Sequence, residues 1–439
     1  MKKHWKLTAF LIGYLILTVT LAATQPLSDP VTLANPPDEA SRYLVPLYIY
    51  EHGALPTGLE EEVRIPGYGF SYALYNAFPY IVMGLAMRVT GLVTSDPAAL
   101  LFTARFVNVL SGLPMAWVVY LLGRRLFSEG KGRWLFCLAA VYQPMNLFVH
   151  SYVNTDSFCM LSTALILYGL ARLYRDGADV RSCLWLASGI ILCALSYYSA
   201  YGYILAAMIL FTVHFMNRGP GGKGFDLNGF LKYGALTAGI VLAGIGWWFI
   251  RQGIVLRGDF LGLRTRAEMT AAFGAAEIRA ENTFAGQGYS FAGMLREMAA
   301  RRLPLKLAGT LIAAYGSLTL RPQAWFYALY ALVWGAGLAG CAAALVSRIR
   351  SGIRPSPKRI VFHACMLMCV VLPLILYLRY CYATDYQEQG RYLLPALIPA
   401  MYYVTKGLCR LGRRVRAVSA AVIVFCAVWQ VFAVALPAF

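Results

Sequence analysis

The feature that most constrains this chain is a series of apolar runs with little charge inside them. They lie at 5–24, 98–122, 133–149, 157–173, 183–198, 200–216, 231–250, 323–346, 360–380, 392–405 and 417–436. Each reaches, or nearly reaches, the length of a membrane crossing. A crossing takes about 20 residues as a helix, because lipid offers no partner to a backbone N–H or C=O. The pattern predicts an all-α polytopic membrane protein with eleven transmembrane helices. Only 13% of the residues are charged, against about 25% in a soluble domain.

The net charge of +19 would suggest nucleic acid in a soluble protein. No soluble basic domain exists here to bind it, so nucleic acid is excluded as a partner. Short cytoplasmic loops collect Lys and Arg, which orients a membrane protein. With the N-terminus inside, the segments 1–6, 123–133, 172–181, 217–232, 347–359 and 406–416 face the cytoplasm. They hold 23 of the 39 basic residues and only four acids, Glu129, Asp176, Asp179 and Asp226. Ten of the remaining basic residues sit in one long outer segment, 251–322, and long loops escape the charge rule.

The same count decides two ambiguous segments. If 74–92 crossed the membrane, Arg124, Arg125 and Lys131 would fall outside. It is read instead as a juxtamembrane helix at the outer interface, and so is 305–320, which Lys306 and Gly309 interrupt. The chain is then a single transmembrane domain, 1–439, with outer loops at 25–97 and 251–322. The first run follows Lys2, Lys3 and Lys6 and could be a secretory signal, but it reaches spanning length and is read as an uncleaved span. Most of the ten cysteines lie in or beside apolar runs, so neither a disulfide framework nor a zinc site is expected.

Polar motifs gather on the outer side. The first loop carries Asn35-Pro36-Pro37-Asp38-Glu39. Two prolines forbid helix before Asp38, which falls at a helix N-terminus where the ionised form is favoured. Helix capping explains it as readily as function does. The helix should run through Arg42 to His52 and stop at Gly53. The second motif is Asn154-Thr155-Asp156 at the lip of the fourth run, where an acid is costly unless paired or solvated. The third is Asp385-Tyr386-Gln387-Glu388-Gln389-Gly390-Arg391-Tyr392. A cation at a helix start opposes the helix dipole, so Arg391 suits a bound anion such as phosphate. Within the basic loop, Arg251, Arg257 and Arg321 are further phosphate candidates, with general lipid contact as the plain alternative. Tyr197, Tyr198, Tyr201 and Tyr203 fit an interfacial aromatic belt.

In order and on one side, Pro36–Glu39, Asn154–Asp156 and Gln389–Pro395 resemble motifs of the GT-C glycosyltransferases. Within that superfamily the chain is similar to relatives of the protein mannosyltransferases and aminoarabinose transferases, and to a group of bacterial membrane proteins. The resemblance implies inverting transfer of a sugar from a polyprenyl-phosphate donor to a lipid, glycan or protein acceptor, at the outer face of the plasma (inner) membrane. It implies Asp38 as general base, with Glu39 and Asp156 orienting the acceptor or a divalent metal. Arg391 would hold the leaving phosphate, and Arg42, His52, Asn154, Gln389 and Tyr392 would contact substrate. No cofactor is certain, although Asp38, Glu39 and Asp156 could bind a divalent metal. Two-domain oligosaccharyltransferases carry a large soluble C-terminal domain. This chain ends soon after its last run, so an acceptor recognised by such a domain is not expected. The competing reading is a transporter or flippase of lipid-linked sugar without catalysis, but transporters place their sites at the membrane midplane.

Overall fold

The computed structural model describes residues 5–25, 36–74, 77–216, 218, 224–352 and 354–438. Among these the chain is almost entirely helical. The longer helices in chain order are α1 (Trp5–Thr24), α2 (Glu39–His52), α3 (Phe78–Gly91), α4 (Pro97–Leu126), α5 (Gly130–Val141) and α6 (Pro144–Val149). They continue as α7 (Asp156–Arg175), α8 (Val180–Ser196), α9 (Tyr201–His214), α10 (Leu227–Val255), α11 (Leu263–Phe273) and α12 (Phe291–Ala300). The last are α13 (Leu303–Ile312), α14 (Ala324–Arg350), α15 (Pro357–Ala383), α16 (Leu397–Arg410) and α17 (Arg413–Trp429).

Seven helices among the described residues are long and apolar enough to cross a membrane, so this is a multi-pass membrane protein. They are α1, α4, α7, α10, α14, α15, and α17 with its continuation to Ala438. Every one coincides with an apolar run in the sequence. The other four expected spans take a different form. Residues 133–149 form two helices, α5 and α6, because Pro144 cannot donate a hydrogen bond back into α5. The Gln143 side chain instead accepts from the Asn146 N–H at 2.7 Å and starts α6 afresh. Residues 183–198 and 200–216 appear as α8 and α9, of 17 and 14 residues. The run 392–405 begins as a 3-10 turn over Gly390–Ala396, with Pro395 inside it, before α16.

The segment 74–92 contributes α3, whose 14 residues rise only about 21 Å, short of a hydrocarbon core about 30 Å thick. It packs on α2 and α4 through Tyr80, Met83 and Met87. The helix expected over 305–320 stops earlier, at Ile312, and a turn closed between Tyr315 and Leu320 follows.

Lipid supplies no hydrophobic drive between apolar helices, so close packing and polar contacts hold them together. Helices α14 and α16 touch at glycine. A methyl group added to Gly407 would lie 1.7 Å from the Gly337 carbonyl oxygen. The opposite faces of α14 and α15 present Leu332, Leu338, Leu345, Leu367, Val371 and Ile375 outward, as a lipid-facing surface requires.

Polar anchoring is strongest near the start of α2. Arg105, inside the apolar α4, is buried and grips Glu39, with Nε–Oε1 at 2.8 Å and Nη2–Oε2 at 2.6 Å. Its Nη1 also donates to the carbonyls of Ala22 and Gln25, at 3.1 and 2.7 Å. One guanidinium thus satisfies the open carbonyls at the end of α1 and the first acid of α2. Removing one partner of a buried ion pair costs about 3–5 kcal/mol, because a charge is left uncompensated. Glu39→Ala or Arg105→Ala should therefore lower the unfolding temperature of the detergent-purified protein sharply, while Glu39→Leu with Arg105→Met recovers most of the loss. Unfolding of either single variant at the wild-type temperature would contradict this role.

Candidate active site

Asp38 occupies the N-cap position of α2 but does not cap it. Its backbone is left-handed, at φ 61° and ψ 8°, and its carboxylate makes no hydrogen bond to the first turn of the helix. A non-glycine residue in that region costs on the order of 1–3 kcal/mol unless its surroundings hold it there. The contact of its carboxylate with Arg391 and the grip of Arg105 on Glu39 hold it there. The strained turn aims Asp38 away from its own helix, and its Oδ2 accepts from Nη2 of Arg391, 353 residues further along the chain. Arg391 is only 1% exposed, while the Asp38 side chain keeps 33% of its surface. The pair therefore has one buried and one reachable partner.

Arg391 is held on all sides. Its Nη1 donates to the Tyr152 hydroxyl at 2.8 Å and reaches the Pro37 carbonyl at 3.5 Å, and its Nε donates to Gln389 Oε1 at 2.6 Å. The segment 385–389 is not helical, and its side chains fall into two linked sets. In one, Gln389 Nε2 donates to Gln387 Oε1 at 3.0 Å, and Gln387 donates in turn to Asp385. In the other, Glu388 meets Lys306 of α13 at 2.6 Å, and Tyr386 lies beside Arg301. Gly390 passes so close to α13 that an added methyl would lie 2.3 Å from the Leu307 carbonyl oxygen. That is why the Gln-Gly-Arg motif needs its glycine.

A second guanidinium completes the cluster. Arg42, one turn into α2, lies 4.0 Å from Asp38 Oδ2. It donates to the Tyr80 hydroxyl at 3.1 Å and to Thr155 Oγ1 at 3.3 Å, and it stacks on the Tyr72 ring at 4.7 Å. Asp156 is buried, lies within electrostatic range of both Arg42 and Arg391, and leaves its Oδ2 without a hydrogen-bond partner. Arg42 Nε is likewise buried and unpaired. Two opposite, unsatisfied groups in one cluster mark the place where a polar ligand or water would be gained.

The carboxylates are tuned apart. Burial opposes ionisation of Asp38, but the charges of Arg391 and Arg42 and the hydrogen bond from Arg391 outweigh it and hold the carboxyl below its usual range. Asp385 is pushed the other way. Burial raises it, the neighbouring Asp38 charge adds to that, and Gln387 and Arg266 only partly offset it. Arg266, from α11, stands over the Phe70 ring at 4.4 Å and brings the second outer segment to the same place.

The structure thus brings together Asp38, Arg42, Asp156, Arg391, Gln389 and Tyr392, whose ring lies 5.4 Å from the Arg391 guanidinium. The other candidates are occupied differently. Glu39 faces Arg105 and the Val153 N–H, at 2.9 Å, as a buried tether. Asn154 is buried and shapes its turn, donating to the carbonyls of Val149 and Tyr152 and capping Ser157. His52 pairs with Glu62 at 2.7 Å on the surface. Arg251 donates to the carbonyls of Leu55 and Pro56 at 3.1 and 2.7 Å. Arg257 is exposed, and Arg321 folds back on its own turn to the Leu318 carbonyl at 3.0 Å.

Among the described residues no three His, Cys, Asp or Glu side chains gather to hold a metal ion. Asp38 faces Arg391 and Arg42, and Glu39 faces Arg105. Sequence reasoning passed over Arg105, and it gave Tyr152 and Asp385, which lie within or beside the quoted motifs, no role of their own. Arg105 carried a usable signal, a lone charge deep in an apolar run.

Because its pKa is lowered on folding, Asp38 contributes stability that is present above the ordinary carboxylate value of about 3.9. That contribution is lost as pH falls through the lowered folded-state value. Asp38→Asn should unfold below wild type at pH 7, and the gap should start to narrow near about pH 3.9 and close only below the lowered folded-state value. Thermal unfolding in detergent across that range is the check; a gap independent of pH would rule out the ion pair as its cause.

The architecture also has solved counterparts. An archaeal oligosaccharyltransferase, AglB from Archaeoglobus fulgidus, in complex with an inhibitory peptide and a dolichol-phosphate, matches with TM-score 0.54 at 15% identity over 100% of this chain and 56% of that one. ArnT from Cupriavidus metallidurans, bound to undecaprenyl phosphate, matches with TM-score 0.56 at 14% identity over 95% of this chain and 62% of that one. Both are GT-C membrane glycosyltransferases, and at these identities the likeness shows a shared GT-C fold. The chain spans little more than half the length of these proteins. No curated protein matches the sequence. Residues 50–399, most of the chain, match the family described as "Predicted membrane protein (DUF2142)", and the chain belongs to that family.

Proposed function

We propose that this protein is a membrane glycosyltransferase that moves a sugar from a polyprenyl-phosphate-linked donor to an acceptor at the outer face of the membrane. The observation that carries the reading is the Asp38–Arg391 pair: a reachable carboxylate fixed against a buried guanidinium, with Arg42 beside it. The lipid phosphates bound by AglB and ArnT support a donor of that class. The outward orientation rests on the distribution of Lys and Arg among the short loops.

The chemistry uses opposite charges at the two ends of one displacement. The acceptor hydroxyl gives its proton to a carboxylate as its oxygen forms a bond to the anomeric carbon. The bond from that carbon to the phosphate oxygen breaks with its electron pair, and the polyprenyl phosphate leaves as an anion that Arg391 and Arg42 stabilise. The resting ion pair adds a coupling. While Arg391 holds Asp38, the carboxylate is a weak base. A donor phosphate competes for Arg391, releases Asp38 and raises its basicity, so the base is switched on when donor is bound.

Transfer from a labelled polyprenyl-phospho-sugar, measured with the full chain in proteoliposomes, tests this. Asp38→Asn should lower turnover by about 100-fold or more, the usual worth of a general base. Arg391→Lys should also lower it, because a point charge does not replace a planar fork of donors. Transfer by Asp38→Asn at the wild-type rate would remove Asp38 as base. A specific rival exists, because Asp385 with its raised pKa is the better base in the empty site. Loss of turnover in Asp385→Asn alone would move the role there.

A further inference from the structure

The opposite end of the bundle holds a cavity that the proposed reaction does not use. It has a volume of about 310 Å³ and is lined by Arg175, Arg359, His363 and Lys406 against walls that include Tyr174, Phe362 and Tyr402. Helix α7 runs from Asp156 in the catalytic cluster to Arg175 in this cavity, a rise of about 28 Å. The two sites therefore lie at opposite membrane surfaces.

No carboxylate lines the cavity, and the acids of this end are engaged elsewhere. Glu129 pairs with Arg416, and Asp176 with Arg125 and Arg172. Asp179 meets Arg172 at 3.0 Å and caps α8 through the Ser182 N–H at 2.6 Å. Asp226 caps α10 through the Gly229 N–H at 2.9 Å. Two of the polar groups that line the cavity have only weak neutral partners. Lys406 Nζ lies 3.5 Å from the Tyr402 hydroxyl and above its ring, and His363 Nδ1 lies 3.2 Å from the Tyr403 hydroxyl. At the end of α14, Arg348 adds its field to Lys406 and His363, and its Nε is buried without a partner. Several positive charges converging on one concave space repel each other, and an anion relieves that repulsion.

A second cavity, of about 260 Å³, shares Tyr174 and is walled mainly by Leu173, Leu210, Val213, Met216 and Val361, with His214, Arg218 and Lys358 also in its lining. A basic chamber beside an apolar slot, at a membrane surface, fits an amphiphile with a phosphate head. We propose that this end of the bundle is a second binding site, for the phosphate headgroup of an anionic membrane lipid, with the apolar slot taking part of its acyl chain. The site is independent of the transferase reading, because none of its residues belongs to the catalytic cluster.

Native mass spectrometry of the full chain in detergent, with phosphatidylglycerol or phosphatidylcholine added, tests it. Wild type should retain phosphatidylglycerol selectively, and Arg359→Gln with Lys406→Gln should weaken that retention at least about tenfold. Arg359→Lys with Lys406→Arg should preserve it, which separates lost charge from misfolding. Arg413→Gln with Arg414→Gln removes equal charge from exposed positions near this end and should leave retention unchanged. Displacement of the lipid by inorganic phosphate, in wild type but not in the Gln pair, would support the phosphate chemistry and show that a free anion also enters. Equal retention by wild type and the Arg359/Lys406 Gln pair, or equal loss in the Arg413/Arg414 pair, would overturn the site.

Discussion

The Arg391 guanidinium, buried to 1% exposure at the far end of the sequence, is the constraint on which the Asp38 end of this molecule depends. A charge so placed must find a counter-charge, and the structure brings Asp38 across 353 residues of chain to provide it. Every local device nearby serves that meeting. Two prolines and a left-handed Asp38 turn the carboxylate off the axis of α2. Arg105 holds Glu39, and with it the start of α2, against the end of α1. Gly390 lets the start of the 3-10 turn that carries Arg391 lie directly on α13. A fold bound mainly by weak apolar contacts inside lipid thereby acquires one polar joint of defined geometry.

That joint also explains why charge is scarce here and concentrated where it occurs. Buried ion pairs contribute little net stability and are costly to break. Two of them next to each other, Glu39–Arg105 and Asp38–Arg391, are a poor way to stabilise a bundle and a good way to fix positions. The first is closed on both sides and acts as a tether. The second keeps one face reachable and has unsatisfied polar atoms of Arg42 and Asp156 in the same cluster, which is what a ligand-exchanging site requires.

Much of the fold was legible in the sequence, because span length and loop charge are set by the bilayer rather than by tertiary detail. The run at 133–149 was misread as one helix, since periodicity does not register that Pro144 restarts the chain under a Gln143 cap. The helix over 305–320 was drawn too long for a similar reason: its apolar pattern continues into a turn. In the candidate site, the motif residues Asp38, Asp156 and Arg391 did converge. Glu39 was the residue that spacing alone could not place, because its neighbour in sequence faces the site while it faces Arg105. Asp385 stood in the third motif without a role, because its link to Arg391 runs through the side chains of Gln387 and Gln389 and is visible only in the fold.

Under the proposed function a carboxylate and a lipid phosphate compete for one guanidinium, and equilibrium binding of a polyprenyl phosphate to the full chain tests that competition most directly. If the two anions compete for Arg391, Asp38→Asn should bind the lipid phosphate more tightly than wild type and Arg391→Gln more weakly. Weaker binding by Asp38→Asn, or unchanged binding by Arg391→Gln, would contradict the account.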